Sequence, residues 1–281
     1  MTATAGPDRA EPLSPSVHAA RHGELAVPYP NTALTWSRRA DVTEIEIVTD
    51  DVETVHAERV AAVLAGVDTI GATPAVHGSA VHLAAESPAD QNHLLAATVA
   101  EELGLTRTRE LYELRRELPV PADHPMRASA PPIRTRGFRP GLDDAAWIRV
   151  NNRSFATHPD QGAETPETLS ARTSEPWFDP HGFLLLDDEQ REGELAGFCW
   201  TKAHPPAGHD PALGEIYVIG VDPTHHGHHL GTALVLAGLD HLAAHGLTVA
   251  NLYVESDNTP ALRLYDHLGF TIHRHRLVYA P

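Results

Sequence analysis

Cysteine, basic residues and long apolar runs are all scarce in this 281-residue sequence. A single cysteine excludes an intramolecular disulfide and fits a reducing compartment, so we expect a cytoplasmic protein. Lysine and arginine total 21 against 38 acidic residues, and the net charge of −17 argues against a nucleic-acid surface. No apolar run reaches transmembrane length, and residues 1–15 lack the basic start and apolar core of a secretory signal. Membrane and nucleic-acid partners are therefore not expected.

Proline is plentiful, with 23 residues that are unevenly placed. Several fall within residues 1–30, which are predicted to form a flexible tail. A second group between residues 119 and 132 marks a domain boundary. Because 281 residues accommodate two ordinary domains, we predict a first domain over 31–120, a Pro-rich linker over 121–132 and a second domain over 133–281.

Apolar spacing predicts strands and helices in both halves of the chain. The expected fold class is α+β with a mixed sheet. In the first half the predicted elements are strand 44–48, helix 52–64, strand 81–85, helix 89–103 and strand 106–118. In the second half they are strand 133–136, helices 143–155 and 166–173, hairpin strands 183–186 and 195–201, strand 215–221, helix 230–245, strand 249–254, helix 259–268 and strand 271–279.

A weak internal repeat links the two halves. Glu86-Ser87, a helix, Leu103-Gly-Leu-Thr106 and a strand are echoed by Glu255-Ser256, a helix, Leu268-Gly-Phe-Thr271 and a strand. Chance similarity is the alternative. We predict that the first half is a duplicated copy of the second.

The most informative stretch is Gly214 to Leu234. Residues 215–221 alternate and are rich in β-branched residues, which predicts a buried strand, and Asp222-Pro223 ends it. A tight turn over 224–229 leads directly into a helix that begins at Leu230. The free N–H groups and the dipole at the start of that helix favour an anion, and a pyrophosphate is the expected guest.

This stretch resembles the acetyl-CoA loop of the GNAT superfamily of N-acetyltransferases. Val221-Asp-Pro223 is followed by His226-Gly-His-His229-Leu-Gly231, where that family has Gln/Arg-x-x-Gly-x-Gly/Ala after Val-x-Pro. His226 stands where Gln or Arg is usual, and His229 where the first glycine is usual. Leu252-Tyr-Val-Glu-Ser-Asp-Asn258, Ala261–Tyr265 and Leu268-Gly-Phe270 extend the resemblance. It implies tandem GNAT-type domains, the first of them degenerate because it lacks the glycine loop.

The resemblance also implies a role for individual residues. Glu215 is implied as the general base and Tyr265 as the general acid. The segment Phe198-Cys-Trp-Thr-Lys202 resembles the corresponding segment of family members that acetylate the cysteine α-amine of cysteinyl glucosaminyl-inositol. The resemblance therefore implies this acceptor. The implied acceptor contacts are Asp160, Lys202, Glu215 and Tyr253. The implied acetyl-CoA contacts are Ile219, Gly220, Val221, His226, Gly227, His228, His229, Leu230, Gly231, Thr232, Asn258, Thr259, Pro260, Ala261, Leu262 and Arg263.

Elementary chemistry leaves simpler interpretations open for the same side chains. Acetyl transfer needs a neutral amine, so a carboxylate base is useful, but Glu215 could also be a solvent-facing residue at a strand end. Tyr265 could be an ordinary core tyrosine, and Lys202 a salt-bridged surface lysine. Cys199 lies between aromatics as an inert core thiol, and without a second nucleophile a direct transfer is expected.

The histidines of 225–229 suggest a zinc site, but four in five residues cannot converge on one tetrahedral ion, so no metal is expected. We expect a monomeric acetyl-CoA-dependent N-acetyltransferase acting on a small amine. The alternatives are an enzyme that acetylates protein N-termini or another small amine, and a non-catalytic acyl-CoA-binding sensor.

Overall fold

The computed structural model describes residues 21–39, 42–49, 51–53, 55–70, 80–88, 93–156, 162–207 and 210–281. Within these ranges, eleven strands form one mixed sheet with helices packed against it, which confirms the α+β prediction. No helix of the described part is long and apolar enough to cross a membrane. The strands are β1 Arg21–Ala26, β2 Thr32–Arg39, β3 Val42–Thr49, β4 Ala80–Pro88, β5 Thr106–Glu117, β6 Arg136–Gly137, β7 Phe183–Asp187, β8 Leu195–His204, β9 Leu213–Val221, β10 Val249–Glu255 and β11 Thr271–Ala280. The helices are α1 Ala57–Thr69, α2 Leu94–Glu102, α3 Pro125–Ser129, α4 Asp144–Ser154, α5 Pro166–Thr173, α6 Leu230–Ala244 and α7 Thr259–His267.

The structure differs from four local predictions. Residues 21–26, assigned to the flexible tail, form β1 and pair with β2, because the prolines at 28 and 30 border a hairpin turn. The helix predicted over 52–64 begins only at Ala57, since Val52 is buried and its carbonyl accepts from Leu95 instead. Residues 125–129 of the linker form the short helix α3. The strand predicted over 133–136 is reduced to β6, Arg136–Gly137.

The two halves exchange their final strands. The sheet order is β1-β2-β3-β4-β11-β5-β10-β9-β8-β7-β6. Each half contains one parallel pair, β3–β4 in the first and β9–β10 in the second, joined through a helix and followed by another helix and a final strand. The final strand of the first half, β5, pairs with β10, whereas β11 of the second half pairs with β4. The repeat inferred from the sequence is therefore a repeat of structure, with its last strands swapped.

This exchange also mixes the hydrophobic cores. The first core lies under α1 and α2 and includes Leu277 and Tyr279 from β11. The second lies under α6 and α7 and includes Leu114 from β5. A third, aromatic core lies on the opposite face of the second half, where Trp147 of α4 packs edge-on to Trp200 of β8. Neither half completes its core with its own residues alone.

Candidate active site

The parallel strands β9 and β10 separate at one point of the sheet. Their pairing ends at Glu215 and Asn251, although β9 continues to Val221 and β10 to Glu255. A bulge shifts the register of β9 against β8 just beyond this point. The backbone groups of residues 216–221 that point away from β8 therefore have no strand opposite them. An elongated ligand can insert here and pair with the β9 backbone along residues 219–221, which are among the acetyl-CoA contacts that the resemblance implies.

The turn that follows β9 ends in unpaired backbone donors. The N–H groups of residues 227–232 donate no hydrogen bond to another residue of the described ranges. The N-cap of α6 is His229, whose side chain does not cap the helix. Six free donors and the positive end of a 15-residue helix make a site for an anion.

His229 is one of the positions at which the sequence departs from the GNAT pattern. Its φ is +57°, in the left-handed region, where a Cβ is unfavourable and glycine is the usual residue. Gly227, at φ +84°, supplies a second left-handed turn. The geometry of the turn is therefore kept despite the histidine, and the side chain adds local strain.

Two buried carboxylates hold this turn in place. Asp222 is fully buried and accepts hydrogen bonds from the Thr224 N–H at 2.9 Å and the Arg153 guanidinium at 2.8 Å. Burial alone raises the pKa of Asp222, but these bonds outweigh it and hold the pKa down at about 2. His225 lies 2.9 Å from Asp188, and His226 lies 3.1 Å from the Val221 carbonyl oxygen. These two rings thus contact separate partners, the Asp188 carboxylate and a backbone carbonyl.

Gly231 lies in the first turn of α6 beside open space. A Cβ built on it would meet only the Leu264 side chain, at 3.9 Å, which is ordinary contact. Its φ is not in the left-handed region. Neither packing nor backbone conformation within the protein thus requires glycine here. Close approach of a ligand to the backbone is a sufficient reason.

Glu215 is buried beside His204, a histidine that belongs to none of the sequence motifs. Its side chain is 6% exposed, which excludes the solvent-facing alternative, and its Oε2 lies 2.6 Å from Nε2 of His204 at the end of β8. A carboxylate can only accept, so Nε2 of His204 donates to it when Glu215 is ionised. Because Glu215 is the last β9 residue paired with β10, this couple lies at the start of the opening.

Lys202 is buried and has no carboxylate partner among the described residues. Its Nζ lies 4.6 Å from the centroid of the Trp177 ring and 5.8 Å from that of Tyr217. The salt-bridged surface lysine considered as an alternative is therefore excluded. Lys202 pairs in register with Glu215, so both side chains lie on the same face of the sheet.

On the other side of Glu215, strand β5 brings first-half residues to the same face. Tyr253 of β10 is paired in register with Glu113 of β5. Burial, followed by the nearby carboxylates, raises the pKa of Tyr253, and burial likewise raises the pKa of Glu113. Arg115 bonds Glu113 at 2.5 Å and holds Asp210 of the β8–β9 connection through two bonds of 2.7 and 2.9 Å. A charged wall from both halves thus borders the site.

Tyr265 of α7 lies on the face of the sheet opposite to the Glu215 side chain. It is 7% exposed, lies in the second core, and contacts Phe270 edge-on. Burial, and then the neighbouring Cys199 thiol, raises its pKa, so the hydroxyl stays protonated at neutral pH. Asn258 caps α7 by accepting from Ala261 N–H at 3.3 Å, and Arg263 is exposed.

Glu215, Lys202 and Tyr253 therefore lie on one face of the sheet at the start of the opening, and residues 219–221 border it. Asp160 lies outside the described residues. Two residues were missed. His204 lies beyond the end of the predicted strand 195–201, and Asn251 lies within the predicted strand 249–254 but outside the motifs of the resemblance. Asn251 of β10 is paired in register with Glu215 of β9. Its side chain is 2% exposed, and its Oδ1 has no hydrogen-bond partner in the described part of the chain.

The second half of the chain is similar in sequence to known acetyltransferases. Residues 147–270 match the acetyltransferase (GNAT) family. The chain is 54% identical over 173 residues to a mycothiol acetyltransferase of Acidimicrobium ferrooxidans, covering 61% of this chain and 54% of that relative. It is 48% identical over 184 residues to the mycothiol acetyltransferase of Streptomyces griseus, covering 66% and 57%. The matched segment thus spans little more than half the length of these relatives.

Solved structures share the fold over a larger part of the chain. A GCN5-related N-acetyltransferase from Sphaerobacter thermophilus has a TM-score of 0.64 at 21% identity, covering 89% of this chain and 76% of that one. A tandem GNAT protein from the clavulanic acid biosynthesis pathway has a TM-score of 0.61 at 18% identity, covering 98% and 90%. At these identities the likeness concerns the fold alone, and it supports the tandem architecture.

Proposed function

We propose that the chain, whose residues 147–270 match the acetyltransferase (GNAT) family, transfers acetyl from acetyl-CoA to the cysteine α-amine of cysteinyl glucosaminyl-inositol, the last step of mycothiol synthesis. The acceptor rests on relatives that are named mycothiol acetyltransferases. One observation supports acetyl transfer most directly: the β9–β10 opening begins at Glu215, a buried carboxylate. A cytoplasmic location and a monomeric state stay predictions.

Acetyl-CoA would lie along the opening with its pyrophosphate on α6. The free N–H groups of 227–232 bind the phosphate oxygens, and the open space beside Gly231 admits them. The pantetheine arm pairs with residues 219–221 of β9. Asn258 is the N-cap of α7 and Arg263 is an exposed residue of that helix, from which it can add positive charge.

The transfer itself would use one residue from each face of the sheet. Glu215 removes a proton from the acceptor ammonium, and the neutral nitrogen attacks the thioester carbonyl carbon. The carbon–sulfur bond then breaks as Tyr265 gives its proton to the leaving sulfur, and the excess proton on the new amide nitrogen passes to the Tyr265 oxygen and restores the hydroxyl. His204 orients the Glu215 carboxylate and can pass its proton toward solvent. No covalent enzyme intermediate is needed, and the Cys199 thiol, whose pKa burial raises to about 12, takes no part.

The acceptor would bind on the Glu215 face. Lys202, Tyr253 and Asn251 surround Glu215 there, and Asn251 Oδ1 offers an unused acceptor to an ammonium or hydroxyl group. Asp160 remains part of this proposal on the resemblance alone. Glu113 and Arg115 bring the first half to the edge of the acceptor site, so that half would help to select the acceptor.

A panel of amines tests the acceptor. Mass spectrometry of acetylated products should show the highest kcat/KM for cysteinyl glucosaminyl-inositol, with glucosaminyl-inositol, cysteine and N-terminal peptides well below it. A faster reaction with a peptide N-terminus or another small amine would replace the proposed acceptor. Binding of acetyl-CoA without turnover of any amine would favour the non-catalytic sensor.

Replacing Gly231 by valine tests the cofactor loop. We expect the Kd for acetyl-CoA, measured by calorimetric titration, to rise by about tenfold or more, because branched atoms would occupy the space that the phosphate needs. The thermal unfolding temperature should stay close to wild type, since that space is open in the protein. His228→Ala is the matched control and should bind within a few-fold of wild type. An unchanged Kd in Gly231→Val would contradict the loop assignment.

A further inference from the structure

A second cluster of titratable side chains lies at the other end of α6, away from the proposed acetyl-CoA loop. Asp179, His241 and His245 each offer a ligand atom, and these three atoms all lie within 4.8 Å of one another. It is the one such group among the residues that the structure describes. The proposed transfer reaction uses none of its members.

The helix sets the geometry of the two histidines. His241 and His245 are four residues apart and therefore lie on one face of α6, with ring centroids 4.1 Å apart. Nδ1 of His245 lies 2.8 Å from the carbonyl oxygen of His241. Because a carbonyl only accepts, this Nδ1 carries the hydrogen, and the lone pair of His245 is on Nε2. A backbone carbonyl that fixes the tautomer in this way is a common partner of metal-binding histidines.

The two carboxylate oxygens of Asp179 contact different groups. Oδ1 of Asp179 accepts from the His181 N–H at 2.9 Å, while Oδ2 lies 3.5 Å from Nε2 of His241. Gly182 leaves room for this approach. A Cβ there would lie 2.6 Å from Oγ1 of Thr201, 3.0 Å from Nε2 of His241 and 3.2 Å from Oδ2 of Asp179. The contact with Thr201 is the tightest, and a larger residue would also crowd both ligand atoms.

We propose that Asp179, His241 and His245 form a binding site for one divalent transition-metal ion, with Zn²⁺ the best-matched candidate. Two imidazoles and one carboxylate are a common three-ligand zinc set, and water completes the tetrahedron. The site lies at the C-terminal end of α6, where the helix dipole favours a cation. The ion would tie the end of α6 to the turn before β7 and so stabilise the fold rather than react.

Metal titration of the untagged full-length chain tests this site. After treatment with chelator and dialysis, wild type should bind one Zn²⁺ per chain in calorimetry, and Co²⁺ should give visible absorption bands of a tetrahedral site. His245→Ala removes one exposed ligand with little effect on folding, which circular dichroism verifies. Its affinity for Zn²⁺ should be at least about tenfold weaker, because even the loss of a residue that only orients a ligand costs about 10–100-fold.

His228→Ala is the matched control, because it removes an exposed histidine from the histidine-rich turn at the opposite end of α6. It should keep the wild-type affinity and stoichiometry. Asp179→Asn should weaken binding as His245→Ala does. Wild-type affinity in His245→Ala and Asp179→Asn, or loss of binding in His228→Ala, would place the ion elsewhere and overturn the proposal. Absence of binding in the wild-type chain would also overturn it.

Discussion

In the variant Glu215→Gln, kcat with saturating substrates is expected to fall by about 10²–10⁴, the usual contribution of a general base. Glutamine keeps the size of the side chain and can still bond His204, so the fold and the Kd for acetyl-CoA should change little. What is lost is the ability to take a proton from the acceptor. The rate should be measured by following CoA release with the best acceptor of the amine panel.

The pH profile separates a base from a structural residue. In wild type the rate should rise on an acidic limb as the base and the acceptor amine lose their protons. In Glu215→Gln this limb should move toward the pKa of the amine itself, because only free amine can then attack. Glu117→Gln, the same change at an exposed residue of β5, is the matched control and should keep the wild-type profile. Near-parental turnover with an unmoved acidic limb in Glu215→Gln would show that the acceptor arrives already neutral.

A chain that begins at residue 121 is expected not to fold, although it contains the whole of the second predicted domain. Strand β5 lies between β10 and β11, so this deletion breaks the ladders on both of its sides. It also removes Leu114 and Leu118 from the second core. Circular dichroism and thermal denaturation should show no cooperative transition, and acetyl-CoA binding should be lost.

Two controls show whether the loss of folding is due to the missing strand β5. A chain that starts at residue 21 retains every described strand and should unfold like the full chain. Co-expression of residues 1–132 with residues 133–281 should restore folding, because the two pieces can exchange β5 and β11 as the intact chain does. A cooperative transition near the wild-type temperature for the chain that begins at 121 would show that the exchanged strand is dispensable.

Local patterns predicted elements well where the end signals are also local. Helix α5 runs from Pro166 to Thr173 as predicted, because proline opens it and Thr165 and Thr168 cap it reciprocally. The predicted start of α1 was wrong because the apolar spacing continues through Val52, which is buried in a turn rather than a helix. The exchange of β5 and β11 could not be predicted, since alternation identifies a strand but not its partner.

The residues of the candidate site also fall into two groups, those that belong to one short segment and those that strand pairing brings together. Glu215 and Tyr265 can be proposed from the sequence because they belong to contiguous motifs whose spacing can be compared with a family. His204 and Asn251 are brought to Glu215 by pairing between strands, and Asp179 meets His241 from 62 positions away in sequence. No short stretch contains these contacts. Side chains that act within one segment are visible in a sequence, whereas those assembled across a sheet need its register.

The exchanged strands also set the order in which this protein can fold during translation. Strand β4 cannot pair with β11 until the ribosome has added roughly 190 further residues, which at about 5–20 residues per second takes on the order of 10–40 s. Throughout that interval one edge of β4 is open, and Leu83 and Ala85 lack the cover of Leu277 and Tyr279. Cotranslational folding of the first half thus stops one strand short of completion, and the nascent chain is most exposed to aggregation and to chaperone capture during that wait.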